Sequence, residues 1–404
     1  MTTVGSRWLG AGMLAGGCAG LLSVASLLNA ASAFGENTAL IMGSAFQPTP
    51  EPSYITEVMN HFVDPTNPLF DGQPVFPGYN PIAITTPETD YGQGITQGVA
   101  DLHTALGQQI EDGNNVVVVG YSMSAAIATQ EMVNLAALAP GDQPDPSQLQ
   151  FVLIEDLNKP NGGFFTSFPS SSDLPATPAD SIYHTDIYSL EYSSASDFPR
   201  YPLNLLADAN ALDAYLYLHP FLLPGWPTPL TSSALTSALA DAVQQPTSPG
   251  YDGNTDYYMI PTQNLPLLEG LRATPVVGPA FADLIQPDLR VLVDLGYDRS
   301  APVDVTSPVT LTNPNIDWSI VAHNLQLGAQ QGMTAFQVDL GMLPASQLPN
   351  LYPYLPDLAG LQSGSTVIGL VPPSAEAEAS SFSTLLGDLN AYLPGAGTEF
   401  SSFF

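Results

Sequence analysis

Four consecutive valines, Val116 to Val119, run directly into Gly120-Tyr121-Ser122-Met123-Ser124 and then into a stretch of helix formers. An apolar run with no polar alternation predicts a strand buried on both faces, as in a parallel sheet covered by helices. Shorter apolar runs at Thr38 to Gly43, Ile82 to Thr85 and Phe151 to Ile154 read the same way, and Tyr183 to Tyr192 alternates like one more strand. Between these runs the period lengthens. Ile95, Val99, Leu102, Leu106 and Ile110 fall near helical spacing, and further helices are predicted over Ser124 to Leu138, Leu203 to Leu218 and Phe281 to Gly296. Strand, helix and strand in this order predict the α/β class, with a mainly parallel sheet flanked by helices.

Between Pro220 and Thr274 prolines and glycines recur too often for regular sheet, so residues of about 203–280 read as a cap or lid. Thr306 to Asn315 reads as an edge strand. From about Pro344 the chain is rich in Pro, Leu, Ser and Ala without a clear period, which sets a main domain at 34–330 and a tail at 331–404. The chain opens with Arg7, an apolar stretch from Trp8 to Ala30, and Ala31-Ser32-Ala33, the order of an export signal. That stretch is also long enough to cross a bilayer. Residues 1–33 are therefore expected to be a signal peptide or a membrane anchor, and the protein to be exported to the cell envelope, anchored facing the periplasm or secreted.

Charge narrows the partners. Six basic residues stand against 38 acidic ones, a formal charge of -32. Such a surface repels nucleic acid, which is excluded as a partner. Cys18 is the only cysteine, so no disulfide framework is expected. No histidine pair has metal-ligand spacing and no glycine-rich loop precedes a lysine, so neither a metal nor a cofactor is predicted.

The strand-to-helix position of Ser122, with a small residue two places to either side, reads as a nucleophile elbow. The competing reading is a serine that only caps the following helix. A serine hydroxyl needs an imidazole, and the imidazole a carboxylate. In this fold type the acid and then the histidine follow the serine in the chain, which leaves His219 and His323 as candidates, with His219 favoured because it opens a loop after a helix. His61 and His103 come too early, and His184 precedes the preferred acid. Asp197, on the loop after the Tyr183 to Tyr192 strand, is the favoured acid, with Asp156 as the alternative and Asp180 and Asp186 less well placed. The oxyanion donors are expected from the Met123 amide and from Ser44 in the loop after the first strand.

Gly120-Tyr121-Ser122-Met123-Ser124-Ala125, Asn158-Lys159-Pro160-Asn161-Gly162-Gly163, Asp197-Phe198-Pro199-Arg200-Tyr201-Pro202-Leu203-Asn204, and Gln286-Pro287-Asp288-Leu289-Arg290 through Leu295-Gly296-Tyr297 together resemble the PE-PPE domain family of mycobacteria. Its members are cutinase-like serine hydrolases with the α/β-hydrolase fold, and the resemblance covers roughly residues 38–300. It implies Ser122 as nucleophile, Asp197 as acid and His219 as base, and its G-x-S-x-S elbow matches Ser124. Members often carry a second aspartate four positions before Asp197, where this chain has Ser193. The PE or PPE segment that often precedes the domain is replaced by the leader. The implied activity is serine-dependent acyl transfer or ester hydrolysis on lipid esters or acylated trehalose glycolipids, with Leu205, Leu206, Leu216, Leu218, Phe221, Leu222, Leu223 and Trp226 as apolar surface for acyl chains. The alternatives are a secreted carboxylesterase or lipase, and an exported surface or binding protein without catalysis.

Overall fold

The computed structural model describes residues 35–88, 91–169, 174–225 and 229–348. The leader 1–33, Trp226 and most of the expected tail lie outside the described residues. Seven strands form one sheet: β1 (Asn37–Met42), β2 (Asn80–Ile84), β3 (Asn115–Tyr121), β4 (Leu149–Ile154), β5 (His184–Leu190), β6 (Val243–Gln244) and β7 (Thr255–Ile260). Their order is β2-β1-β3-β4-β5-β7-β6, and every pair is parallel except β6 with β7. This is an α/β-hydrolase fold.

The valine run shows why β3 lies inside the sheet. Val117 and Val119 face one core with Val152, Ile154, Tyr188 and Leu190, whereas Val116 and Val118 face the other with Leu40, Met42, Phe151 and Leu153. All four valines are fully buried, which favours the folded state by roughly 1.5 to 3 kcal/mol per side chain. The first core is completed by α1 (Pro52–Val58), α5 (Leu205–Tyr217), α6 (Ser232–Ala240) and α8 (Gly278–Asp294). The second is completed by α2 (Gln93–Glu111) and α3 (Met123–Ala136). Two short helices, α4 (Phe164–Ser167) and α7 (Glu269–Arg272), lie in connections, and α9 (Trp318–Asp339) packs on α8. At Gly332 of α9 an added Cβ would stand 2.0 Å from the Leu284 carbonyl, so only glycine permits that approach.

Three expectations are corrected. The segment 203–280 is not a separate cap: it contributes β6 and β7 to the sheet and α5 and α6 to the covering layer. The strand β7 reads Thr-Asp-Tyr-Tyr-Met-Ile, and prolines and glycines flanking it concealed a buried strand. Residues 306–315 form no strand. They are a loop bound through Ser307 N to Pro160 O, Val309 N to Ser167 O and Thr310 N to Arg200 O. The expected boundary at 330 falls inside α9, which continues to Asp339.

Candidate active site

Ser122 sits between the last residue of β3 and the first of α3, with φ 59° and ψ -118°. A non-glycine residue in this left-handed region is strained, and the strain holds the side chain out of the turn. The hydroxyl makes no capping hydrogen bond to α3, so the capping reading fails. Around the bend, a Cβ on Gly120 would lie 2.5 Å from the Ser124 carbonyl oxygen. Ser124 does more than fit. Its Oγ accepts from the Tyr121 amide at 2.8 Å and donates to the Tyr121 carbonyl at 3.2 Å, tying the end of β3 to the first turn of α3.

His219 opens a 3-10 turn, His219–Phe221, directly after α5. Its Nε2 lies 2.8 Å from Ser122 Oγ. Two tyrosines hold the ring, Tyr215 stacking at 5.5 Å and 13° and Tyr121 tilted at 5.5 Å, while the Tyr121 hydroxyl donates to the His219 carbonyl. The group behind the imidazole is Glu155, whose Oε2 lies 2.9 Å from Nδ1. With Nδ1–H donating to a carboxylate, Nε2 carries the lone pair that accepts the serine proton.

Glu155 follows β4 and has φ 54°. Its backbone N–H still bonds to Tyr188 O on β5 at 2.7 Å, and the positive φ turns the side chain back over the sheet end. Besides His219, the carboxylate accepts from the Leu190 amide at 2.6 Å, from Ser196 Oγ at 2.5 Å and from the Ser193 hydroxyl. Ser193 thus supplies a donor rather than a second charge.

The structure brings Ser122 and His219 together and leaves Asp197 out. Asp197 binds Arg299 Nη1 through both oxygens at 2.5 Å and accepts from the Tyr192 amide at 2.7 Å. The reason is topological: β4 is the neighbour of β3, whereas β5, which leads to Asp197, is one strand further out, on the order of 10 Å from β3. Asp197 closes the loop that carries Ser193 and Ser196, so it supports Glu155 through that loop. Asp156 is buried and points elsewhere, accepting from Thr177 Oγ1 at 2.6 Å and the Asn158 amide at 2.9 Å, with burial pushing its carboxyl up to about 6. An expectation restricted to aspartates does not reach Glu155. The available signal was an acid one residue past the strand that pairs with the elbow strand.

Met123, the first residue of α3, follows the nucleophile directly, and Ser44 stands in the loop after β1, its hydroxyl donating to Gln47 Oε1 at 3.0 Å. Gln47 in turn donates to Pro224 O at 3.0 Å, linking this loop to the segment after His219. Ser44, Ala45, Phe46, Tyr121, Ser122, Tyr215, His219 and Pro220 line a solvent-open pocket of about 290 Å³. Leu218, Phe221, Leu222 and Leu223, expected to meet acyl chains, are buried in the protein, whereas Leu205 and Leu206 remain exposed. The other histidines lie away from Ser122. His61 contacts Thr236, His103 meets Glu131, His184 meets Asp186 toward the amino ends of the strands, and His323 is exposed on α9.

A family model described as the PE-PPE domain matches residues 74–298, more than half of the chain. The chain belongs to the PE-PPE domain family. Of the relatives it matches in Mycobacterium tuberculosis, the PE family protein PE3 is 42% identical over 334 residues, covering 79% of this chain and 67% of PE3. Esterase PE16 is 39% identical over 311 residues, covering 74% of this chain and 55% of PE16. Diacyltrehalose acyltransferase Chp2 is 28% identical over 232 residues, covering 53% of this chain and 60% of Chp2. The chain thus spans between about half and two thirds of the length of these relatives.

Proposed function

We propose that the protein is a serine-dependent acyl-transfer enzyme on lipid esters, with Ser122 as nucleophile, His219 as general base and acid, and Glu155 as the carboxylate that orients the imidazole. The observation that carries this reading is the line Ser122 Oγ, His219 Nε2, His219 Nδ1, Glu155 Oε2, with gaps of 2.8 and 2.9 Å. The reading of an inactive surface protein leaves this alignment, and the strained backbone at both Ser122 and Glu155, without a purpose.

In the first half-reaction Ser122 Oγ attacks the ester carbonyl carbon and its proton passes to His219 Nε2. The oxyanion draws on the Met123 amide and the Ser44 loop; a donor of this kind contributes on the order of 3 to 4 kcal/mol to lowering the barrier. Collapse breaks the carbon to alkoxy-oxygen bond, and the imidazolium returns the proton to the departing alcohol. In the second half-reaction His219 takes a proton from the acceptor hydroxyl as that oxygen bonds to the acyl carbon, the carbon to Ser122 Oγ bond breaks, and the imidazolium returns the proton to Oγ. The acceptor decides between a sugar hydroxyl and water.

On substrate, we favour acyl exchange between acylated trehalose glycolipids in the cell envelope, a reading supported by the relationship to diacyltrehalose acyltransferase Chp2. The higher identity to Esterase PE16 favours the second reading, plain ester hydrolysis. Export through residues 1–33, by a cleaved signal or a retained anchor, belongs to the same proposal and is supported by their charge and apolar order. A fluorophosphonate probe should label the protein and not Ser122→Ala. Incubation with an acylated trehalose donor and free trehalose then separates the two readings: transfer yields a newly acylated sugar, hydrolysis only free fatty acid.

A further inference from the structure

Asp186 and Asp256 occupy directly paired positions on the parallel strands β5 and β7. Their side chains therefore stand on the same face of the sheet, and His184, two residues before Asp186, shares it. One donor atom from each of His184, Asp186 and Asp256 lies within 4.8 Å of the other two, and His184 Nε2 is 3.3 Å from Asp186 Oδ1. Asp186 is fully buried; its Oδ1 faces only the His184 imidazole, and its Oδ2 has no hydrogen-bond donor. Asp256 is partly buried, with one oxygen held by Gln244 Nε2 at 2.9 Å.

Carboxylates facing each other on adjacent strands repel, and a buried carboxylate without donors is costly. One imidazolium supplies a single positive charge against two negative ones. A divalent cation would balance both and give the bare Oδ2 of Asp186 a partner. The next residues on this face, Tyr188 and Tyr258, stack at 5.1 Å and divide the cluster from the core beyond. On the outer side His184 is 37% exposed, which leaves an approach for an ion.

We propose that His184 Nε2, Asp186 and Asp256 hold one divalent cation of the Mn²⁺ or Zn²⁺ type, which clamps the amino ends of β5 and β7. One imidazole with two carboxylates is a donor set these ions accept. The cation is structural: it sits toward the amino ends of the strands, whereas Ser122, Glu155 and His219 gather at the carboxyl ends. Nothing in the sequence spacing announces it, since two ligands come from His184-Thr185-Asp186 and the third from a strand 70 residues later.

Electron paramagnetic resonance of free Mn²⁺ tests this with the full-length chain, in physiological salt to screen the acidic surface. The expected result is withdrawal of one Mn²⁺ per chain from the free-ion signal, reversal by Zn²⁺, a melting temperature that rises with added Mn²⁺, and binding about tenfold or more weaker in Asp256→Asn. If circular dichroism finds Asp256→Asn unfolded, His184→Gln at the exposed ligand carries the same expectation. Equal withdrawal by wild type and variant, the mark of diffuse attraction to a charge of -32, overturns the proposal, as does no withdrawal at all.

Discussion

The Glu155 carboxylate lies 2.9 Å from Nδ1 of His219, although 64 residues separate the two in the chain. The contact exists because β4 pairs directly with β3, so the first residue beyond β4 emerges beside the elbow that carries Ser122. A backbone φ of 54° then turns that residue toward the imidazole, and the hydroxyls of Ser193 and Ser196 fix its oxygens. The loop bearing these serines is pinned in turn by Asp197 to Arg299.

The elbow should tolerate no side chain at Gly120. In Gly120→Ala the new carbon meets the Ser124 carbonyl at 2.5 Å, so the turn must open and the probe should cease to label Ser122. Ser124→Ala is milder. It removes two hydrogen bonds and leaves the buried Tyr121 amide without that partner, a cost of about 1 to 3 kcal/mol visible as a lower melting temperature.

Arg299→Met isolates the role of Asp197. The guanidinium lies over the rings of Tyr192 and Tyr297, at 5.4 and 4.4 Å, and its loss leaves a buried carboxylate unpaired. Breaking such a pair from one side costs about 3 to 5 kcal/mol. Denaturant melts should show this loss, and the protein that remains folded at low temperature should still be labelled at Ser122.

Stability should rise as the solution is made mildly acidic. Burial pushes the carboxyls of Glu88 and Glu269 up to about 7, whereas in the unfolded chain they titrate near the ordinary glutamate value. Between those values the folded state holds protons that the unfolded state has released. Stability is therefore fully present below the unfolded value and falls as pH rises toward about 7, at most by about 1.4 kcal/mol per pH unit for each group. Relief of repulsion in a chain of charge -32 acts in the same direction. The melting temperature at pH 5.5 should exceed that at pH 8, and Glu88→Gln should flatten the difference. A flat or opposite profile in the wild type contradicts this assignment.

What the sequence made legible was local. Val116 to Ser124 is a strand, a turn and a helix start, and each is dictated by neighbours a few residues away. Elimination among five histidines leaves His219 and His323, and the place of His219 at the opening of a loop after a helix favours it. For the acid the same signal, an acid just past β4, fits the adjacent Glu155 and Asp156 nearly equally, and the positive φ at Glu155 decides which one reaches the imidazole. Asp197 drew notice because it heads a recognisable motif, but that motif builds the support behind the site. The strand β7 was hidden for another reason: loop-forming neighbours on both sides masked six residues that pair with β5 deep in the sheet.

The rate at which a fluorophosphonate modifies Ser122 reports directly on how the imidazole is held. Replacing the orienting acid of such a triad by its amide lowers catalysis on the order of 10⁴-fold. Glu155→Gln should therefore slow modification by about three to four orders of magnitude, whereas Asp197→Asn, measured on folded protein, should stay within about tenfold of wild type. The reverse ranking, with Asp197→Asn crippled and Glu155→Gln near normal, would contradict the assignment of Glu155 as the carboxylate that orients His219.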